Sequence, residues 1–293
     1  MRYSGFFQKK SVSDLSNRLF LLCSMVVLFT IVSSSIAKAQ GNLLITPRRV
    51  VFEGQKRSQD LNLANTGVDS AKYNVSVIQY RMREDGSFEE ITVPDEGQNF
   101  ADKFLRFFPR TVNLAPNEAQ VVKMQVIKTN ELKPGEYRSH VYFRAVPKET
   151  ALGSDTAKVD STAIGVRLIP IFGITIPVII RLGESTTKVS LSDSKLEFPN
   201  DTTKRLQVVF TRTGNMSVYG DLLVEHISPS AKTIPVGVVR GIAVYTPNAS
   251  RKFQMDLDNK AKVDYRSGSL KVTFSSQSDT KPEKLAETTL QLK

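Results

Sequence analysis

The chain has 293 residues and a formal net charge of +11, with 40 lysines and arginines against 29 aspartates and glutamates. A chain of this length forms one large or two ordinary domains. Nucleic-acid binding would need clustered basic residues with stacking aromatics, whereas these basic residues are spread out, without a run of five like charges. We therefore expect no nucleic-acid partner and a solvated basic surface, which attracts acidic partners or anionic membranes only mildly.

Residues 1–39 have the pattern of a signal peptide. Basic residues precede an apolar run from Leu19 to Val32, and Ala37-Lys38-Ala39 matches an A-x-A cleavage site. The apolar run is shorter than the roughly twenty residues that a membrane-spanning helix needs. We expect cleavage near Ala39/Gln40 and export of a mature chain without an integral membrane span.

Cysteine usage indicates the compartment and the domain size. Cys23 is the only cysteine and lies within the predicted signal peptide, so the mature chain has none. Small exported modules often use disulfides in place of a large core, whereas larger domains fold without them. This pattern is typical of a bacterial envelope protein with domains of ordinary size.

Short runs of alternating apolar residues, separated by turns, recur about every ten residues in the mature chain, which is the rhythm of a β-sandwich. The first half predicts one strand over 43–52, further strands up to 146, and a polar loop over 150–160. The second half predicts about eight short strands between 189 and 292. The predicted fold is all-β, with two immunoglobulin-like sandwiches joined end to end, an N-terminal domain at 40–182 and a C-terminal domain at 183–293.

The segment 164–182 is the most informative stretch, because every even position in it is apolar. Alternate side chains of a strand share one face, so this pattern predicts a strand about three times the usual length. Pro170 and Pro177 cannot donate ladder hydrogen bonds, which favours an edge strand or a bulge. An apolar edge favours aggregation unless it pairs with a strand of another protein. The alternative is an internal sandwich strand that is broken at Pro170 or Gly173.

Residues suited to catalysis or metal binding are scarce. The chain has two histidines, His140 and His226, one in each predicted domain, and it has no HExxH, CxxC, GxSxG or P-loop motif. A metal site needs three or four converging ligands, and Asp256-Leu257-Asp258 alone supplies too few. We expect no enzymatic activity, no metal and no cofactor.

Four segments carry motifs that follow one another in the order of a known family. They are ITPRRVVFEG at 45–54, FPRTVNLAPNEAQ at 108–120, YRSHVYFRAVP at 137–147 and IPVIIR at 176–181. Together they make residues 43–182 resemble the periplasmic chaperones of pilus assembly, the PapD-like family. The second domain resembles this family less.

The resemblance implies two sandwiches in a boomerang shape and a chaperone that works in the periplasm. Such a chaperone lends the long strand of its first domain to an incomplete pilin-like subunit, and it can pass that subunit to an outer-membrane usher. Counting back from Arg181 places the donor side chains on the even face that the periodicity also selects: Ile164, Val166, Leu168, Pro170 and Phe172.

The resemblance also implies a carboxylate anchor in the cleft between the domains. Arg49 matches the family arginine that binds the subunit's C-terminal carboxylate, and Arg181 matches a second cleft arginine. The family lysine falls on Pro177 and the family glutamate on Arg138, which predicts a divergent member with a different client or anchoring scheme. The alternative function is a structural or adhesive envelope protein whose long strand is internal.

Overall fold

The structure, a computed structural model, describes residues 43–147, 170–258, 263–277 and 281–292. Within these ranges it contains seventeen β-strands, two short 3₁₀ turns and no α-helix. None of the helices in the described part of the chain has the length and apolarity that a membrane crossing requires. The predicted all-β fold with two immunoglobulin-like sandwiches is confirmed.

The first sandwich is built from ten strands. Their bounds are β1 Leu43–Thr46, β2 Val50–Phe52, β3 Ser58–Asn65, β4 Ala71–Met82, β5 Phe88–Ile91, β6 Leu105–Phe108, β7 Thr111–Leu114, β8 Ala119–Val126, β9 Gly135–Ala145 and β10 Gly173–Leu182. One sheet has the order β1-β3-β8-β6, and the other has the order β2-β10-β9-β4-β5 with β7 beside β4. The core between them includes the fully buried side chains of Phe52, Leu61, Leu63, Leu114, Met124 and Phe143.

The prediction of one strand over 43–52 is wrong, because the chain changes sheets inside this segment. β1 pairs with β3 in one sheet, whereas β2 pairs in parallel with β10 in the other. The segment 105–114 divides in the same way, with β6 beside β8 and β7 beside β4. Pro47 and Pro109 lie in the two breaks, where proline does not deprive a ladder of a donor.

β10 is the strand predicted from the even-position pattern, although it is shorter than expected. Its even side chains at Ile176, Val178 and Ile180 are buried in the core of the first sandwich. Among the described residues the strand begins at Gly173, which pairs with Arg144 near the end of β9. The predicted strand residues 164–169 lie outside the described residues.

The second sandwich contains seven described strands, where the sequence predicts about eight. Their bounds are β11 Lys188–Glu197, β12 Arg205–Thr213, β13 Val218–Ile227, β14 Thr233–Val244, β15 Ser250–Asp256, β16 Ser269–Ser276 and β17 Lys284–Gln291. A sheet β11-β12-β15 faces a sheet β14-β13-β16-β17. The core between them includes Leu206, Phe210, Leu222, Val224, Val272 and Phe274.

The chain passes from the first sandwich to the second between Leu182 and Lys188. Gly183 has a φ of 77°, in the left-handed region that glycine adopts readily. The assignment of residues 40–182 and 183–293 to separate domains remains a prediction, which limited proteolysis near Gly183 would test.

Candidate functional site

One face of the β2-β10-β9-β4-β5 sheet points away from the core of the first sandwich. On β9 and β10 it carries three cross-strand pairs, Glu136 with Arg181, Arg138 with Ile179, and His140 with Pro177. We call these six residues the junction face, because Glu136, Arg138, His140 and Arg181 contact Ser217 or Tyr245 of the second sandwich. Glu136, Arg138, His140 and Ile179 are buried there.

Glu136 is the centre of a buried ion network on this face. Its carboxylate accepts hydrogen bonds from the Ser217 hydroxyl at 2.7 Å and the Ser217 backbone N–H at 3.1 Å. It also pairs with Arg138 Nη2 at 2.7 Å and with Arg181 Nε at 3.1 Å. Burial alone would raise the pKa of Glu136, but the two guanidinium groups and the Ser217 hydroxyl lower that pKa to about 2. The carboxylate is therefore ionised and fully engaged.

The family glutamate falls on Arg138, but this face still carries a carboxylate, because Glu136 lies two residues earlier on the same face. Arg138 instead pairs with Glu136 and donates to the Ser217 hydroxyl at 2.6 Å. Its guanidinium carbon lies 3.6 Å from the centroid of the Tyr245 ring. Residues two apart on a strand lie on the same face, so a carboxylate at residue 136 faces the junction as one at residue 138 would.

Arg181 lies on the junction face and contacts the second sandwich directly. It pairs with Glu136 and donates from Nη2 to the Ser217 carbonyl at 2.9 Å. Ser217 precedes β13, so this contact joins the end of β10 to the start of β13. Nε and Nη2 of Arg181 thus hold the junction together.

Arg49 is the one arginine of this group that has no counter-ion among the described residues. It immediately precedes β2. Because Val50 pairs with Val178 in the parallel register, Arg49 lies beside Pro177. Its guanidinium carbon lies 4.4 Å from the centroid of the Tyr219 ring. Burial, and then the charges of Arg138 and Arg181, lower the pKa of Arg49 to about 10. Three guanidinium groups and the single carboxylate of Glu136 therefore lie in this region, so its net charge is positive.

A cluster of aromatic residues lies beside the ion network and joins the two sandwiches. His140 contacts Tyr80 edge-on, with ring centroids 5.0 Å apart, and stacks on Tyr245 at 6.1 Å. Phe88 packs against Tyr245 at 5.4 Å. Burial, together with the charge of Arg138, lowers the pKa of His140 to about 3. The imidazole is therefore neutral at physiological pH.

The hairpin between β4 and β5 makes a second set of contacts with the second sandwich. The Asn248 side-chain amide donates to the Met82 carbonyl at 2.7 Å, and the Lys252 backbone N–H donates to the Glu84 carbonyl at 2.6 Å. The Ser250 hydroxyl donates to the Glu84 carboxylate at 3.1 Å. These contacts fix the hairpin to β15 and to the loop before it.

β10 has an unpaired edge over Gly173–Pro177 among the described residues. β9 pairs with the whole strand on one side, whereas β2 pairs only with Val178–Ile180 on the other. The Ala145 N–H donates to the Phe172 carbonyl at 2.9 Å. Because successive residues of an antiparallel strand turn their backbone groups to opposite sides, the even residues bond to β9 and the odd ones face the unpaired edge.

This alternation explains why β10 accommodates a proline. Pro177 is an odd residue, so its missing N–H faces the unpaired edge and β9 loses no donor. Gly173 and Thr175 present their backbone groups on the same edge. Proline and glycine on one edge are typical of a strand end that is kept from indiscriminate pairing.

The predicted donor residues lie at and beyond the start of this edge. Pro170 is exposed and Phe172 has 48% of its surface exposed, as does 43% of the neighbouring Ile171. Ile164, Val166 and Leu168 lie outside the described residues. The structure thus places Arg49 and Arg181 at the junction and Pro170 and Phe172 at the edge of β10.

No group of three or more histidine, cysteine, aspartate or glutamate side chains in the described ranges is arranged to hold a metal ion. Of the residues that position the site, Glu136, Ser217, Tyr219 and Tyr245 were not singled out from the sequence. The only available signal was that Glu136 shares a strand face with Arg138.

No protein-family model and no curated protein sequence matches this chain. Among solved structures it is similar to the YadV chaperone, at 15% identity over 86% of this chain and 100% of that one, with a TM-score of 0.43. It is similar to a chain of the CsuC–CsuE chaperone–tip adhesion subunit pre-assembly complex from archaic chaperone-usher Csu pili of Acinetobacter baumannii, at 14% identity over 84% and 98%, TM-score 0.44. It is also similar to a chain of the Salmonella enterica SafA pilin–SafB chaperone complex, at 13% identity over 87% and 99%, TM-score 0.41.

Proposed function

We propose that this protein is a divergent, non-enzymatic chaperone of the PapD-like type, which binds a pilin-like subunit in the periplasm by adding a β-strand to it. The observation that carries this proposal is the unpaired edge of β10, which is followed upstream by exposed apolar residues. Transfer of the subunit to an outer-membrane usher belongs to the same proposal, as does export by the predicted signal peptide.

The edge of β10 supplies the backbone half of strand addition. Gly173 and Thr175 direct their backbone groups outward, where an incoming strand can complete the ladder. Pro177 marks the end of this edge, since it has no N–H to offer and β2 takes over at Val178. A partner strand therefore pairs with β10 upstream of Pro177.

The side-chain half of strand addition comes from the even residues. Ile174 and Ile176 face the core of the first sandwich, so even residues further upstream would continue that face if the strand extends on binding a subunit. In a complex, Ile164, Val166, Leu168, Pro170 and Phe172 would face the core of the subunit. Burial of each side chain the size of leucine or phenylalanine contributes about 1.5–3 kcal/mol.

Arg49 is proposed to bind the C-terminal carboxylate of the subunit. It is a half-buried cation that no carboxylate in the described ranges pairs with, whereas Arg138 and Arg181 are already paired with Glu136. A carboxylate would gain charge-assisted hydrogen bonds there, and these are stronger than bonds between neutral groups. The lysine that the resemblance expects at Pro177 is absent, so the anchor would rest on Arg49.

The test is co-purification of native partners with the tagged mature chain, comparing wild type with Phe172→Glu. Phe198→Glu is the matched control, because Phe198 is 52% exposed but lies on the second sandwich. We expect Phe172→Glu to lose the partner and Phe198→Glu to retain it, with thermal melts of both close to wild type. If Phe172→Glu lowers the free energy of unfolding by several kcal/mol, the strand is internal and the structural or adhesive alternative gains support. If it retains the partner, the proposal fails.

A further inference from the structure

Tyr219 is the residue of the second sandwich that holds the unpaired cation of the first. It is the second residue of β13, and its ring lies 4.4 Å from the guanidinium carbon of Arg49. That distance is well within the range of a cation–π contact. Arg49 makes no hydrogen bond and no ion pair with any described residue, so its contact with the second sandwich is the Tyr219 ring, while the Glu136 carboxylate attracts it without pairing with it.

The surroundings of Tyr219 fix its ring in place. Tyr219 pairs with Ala243 across β13 and β14, and it packs against the cluster of Met82, Ala243 and Tyr245. A methyl group added at Gly241 would lie 3.0 Å from the Tyr219 hydroxyl oxygen, so glycine there leaves room for the phenol. Gly241 also has a φ of 77°, which disfavours other residues at that position.

An aromatic ring and a carboxylate differ in whether they leave the N–H donors of a bound arginine available to a ligand. A carboxylate partner would neutralise the guanidinium and occupy its N–H donors, as Glu136 does for Arg138. A ring face attracts the cation while the donors in the guanidinium plane remain available to a ligand. A second cation near Arg49 would repel it, and the nearby charges of Arg138 and Arg181 already lower its pKa. The ring offsets this repulsion without cancelling the charge.

We propose that Tyr219 is a positioning residue for the carboxylate site, in which the second sandwich supplies the aromatic face that holds Arg49 with its donors free for the C-terminal carboxylate of a bound strand. This inference rests on the proposed function and deepens it. Both sandwiches then contribute to the carboxylate site. The Tyr219 ring supports Arg49 there in the absence of a second cation at Pro177.

The experiment uses the mature chain and a pair of synthetic peptides of alternating valine and threonine, which are identical except for a free or an amidated C-terminus. We expect wild type to prefer the free acid by at least about tenfold, a preference that Arg49→Ala removes. Tyr219→Leu should reduce this preference by about tenfold with little change in affinity for the amide. Tyr219→Phe should keep it, because the ring face remains.

Two comparisons separate positioning from general disruption. Tyr80→Leu removes an aromatic ring from the same junction that contacts His140 and not Arg49, and it should leave the preference intact. In the Arg49→Ala background, Tyr219→Leu should have no further effect on the preference, since coupled residues are non-additive. Should Tyr219→Leu fail to fold, Tyr219→Gln repeats the test with a side chain that suits a half-exposed position.

Each other outcome overturns a defined part of the account. Equal binding of both peptides by wild type would remove the carboxylate anchor, and this inference with it. A wild-type preference that survives in Tyr219→Leu would overturn the role of Tyr219 and leave the anchor standing. A loss of both peptides in Tyr219→Leu would assign Tyr219 to the junction structure and not to the position of Arg49.

Discussion

The two parts of β10 differ although they belong to one strand with one alternation. The closed segment, Val178–Ile180, lies between β9 and β2, and its three side chains are at most 2% exposed. The open segment, Gly173–Pro177, pairs with β9 alone among the described strands and leads upstream to the exposed Phe172. The difference teaches that one hydrophobic pattern can serve the stability of the fold at one end and be available to a partner at the other.

The polar residues near the two segments differ in the same way. Arg181 follows the closed segment, and its guanidinium is paired with the buried Glu136. Arg49 lies beside Pro177 at the end of the open segment, and it has a ring as its partner instead of a carboxylate. The paired arginine stabilises the junction, whereas the charge of Arg49 is not paired with any described carboxylate.

The largest expected effect separates these two arginine sites. Glu136→Gln should lower the free energy of unfolding by about 3–5 kcal/mol, because it leaves the buried Arg138 and the partly buried Arg181 without their carboxylate partner. Arg49→Gln should cost less, about 0.5–2 kcal/mol, since it loses the cation–π contact with Tyr219 and no ion pair with a described residue. Urea denaturation of both variants measures the contrast. A small effect of Glu136→Gln would mean that the junction does not depend on the ion network.

The second contrast uses two isoleucines on the same face of β10. Ile180→Ala in the closed segment should lower the free energy of unfolding by about 3–4 kcal/mol, because Ile180 is 2% exposed and packed on both sides. Ile174→Ala in the open segment should cost about 1–2 kcal/mol, since Ile174 is only partly buried. Equal costs in urea titrations would show that the open segment is as much a part of the core as the closed one.

The third prediction concerns acidity at the junction, where Tyr80, Tyr245 and Arg138 surround His140. The pKa of His140 falls from 6.5 to about 3 on folding, so the unfolded chain binds more protons in this range. The contribution of His140 to the free energy of unfolding is therefore fully present above pH 6.5, and it is lost as the pH falls towards 3. The loss from His140 amounts to about 2–3 kcal/mol near pH 4.5, and it should be absent in His140→Phe.

Equilibrium unfolding from pH 7.5 down to 4.5 measures this slope. Glu136 adds its own loss only below 4.5, its ordinary pKa, because its folded-state pKa is about 2. The two groups are thus separated along the pH axis. An unchanged slope in His140→Phe would contradict the assignment of the acid sensitivity to His140.

Local alternation was sufficient to predict the all-β fold and β10, because burial of one face imposes period two on the residues themselves. The same signal missed the change of sheet between β1 and β2, since apolar residues continue to alternate while the hydrogen-bonding partner changes. Glu136 was missed because its partner Ser217 lies 81 residues away along the chain. Tyr219 was missed for a similar reason, since a ring under a cation leaves no pattern in the sequence around either residue.

The central claim is that β10 offers one unpaired edge to a partner strand, and amide hydrogen exchange of individual residues tests it most directly. In the free mature chain, Ile174 and Ile176 should be protected by β9, whereas Gly173 and Thr175 should exchange rapidly. In a complex with a co-purified subunit, Gly173 and Thr175 should become protected while Ile174 and Ile176 change little. Protection of Gly173 and Thr175 in the free chain, or no change in their exchange on binding, would contradict the account.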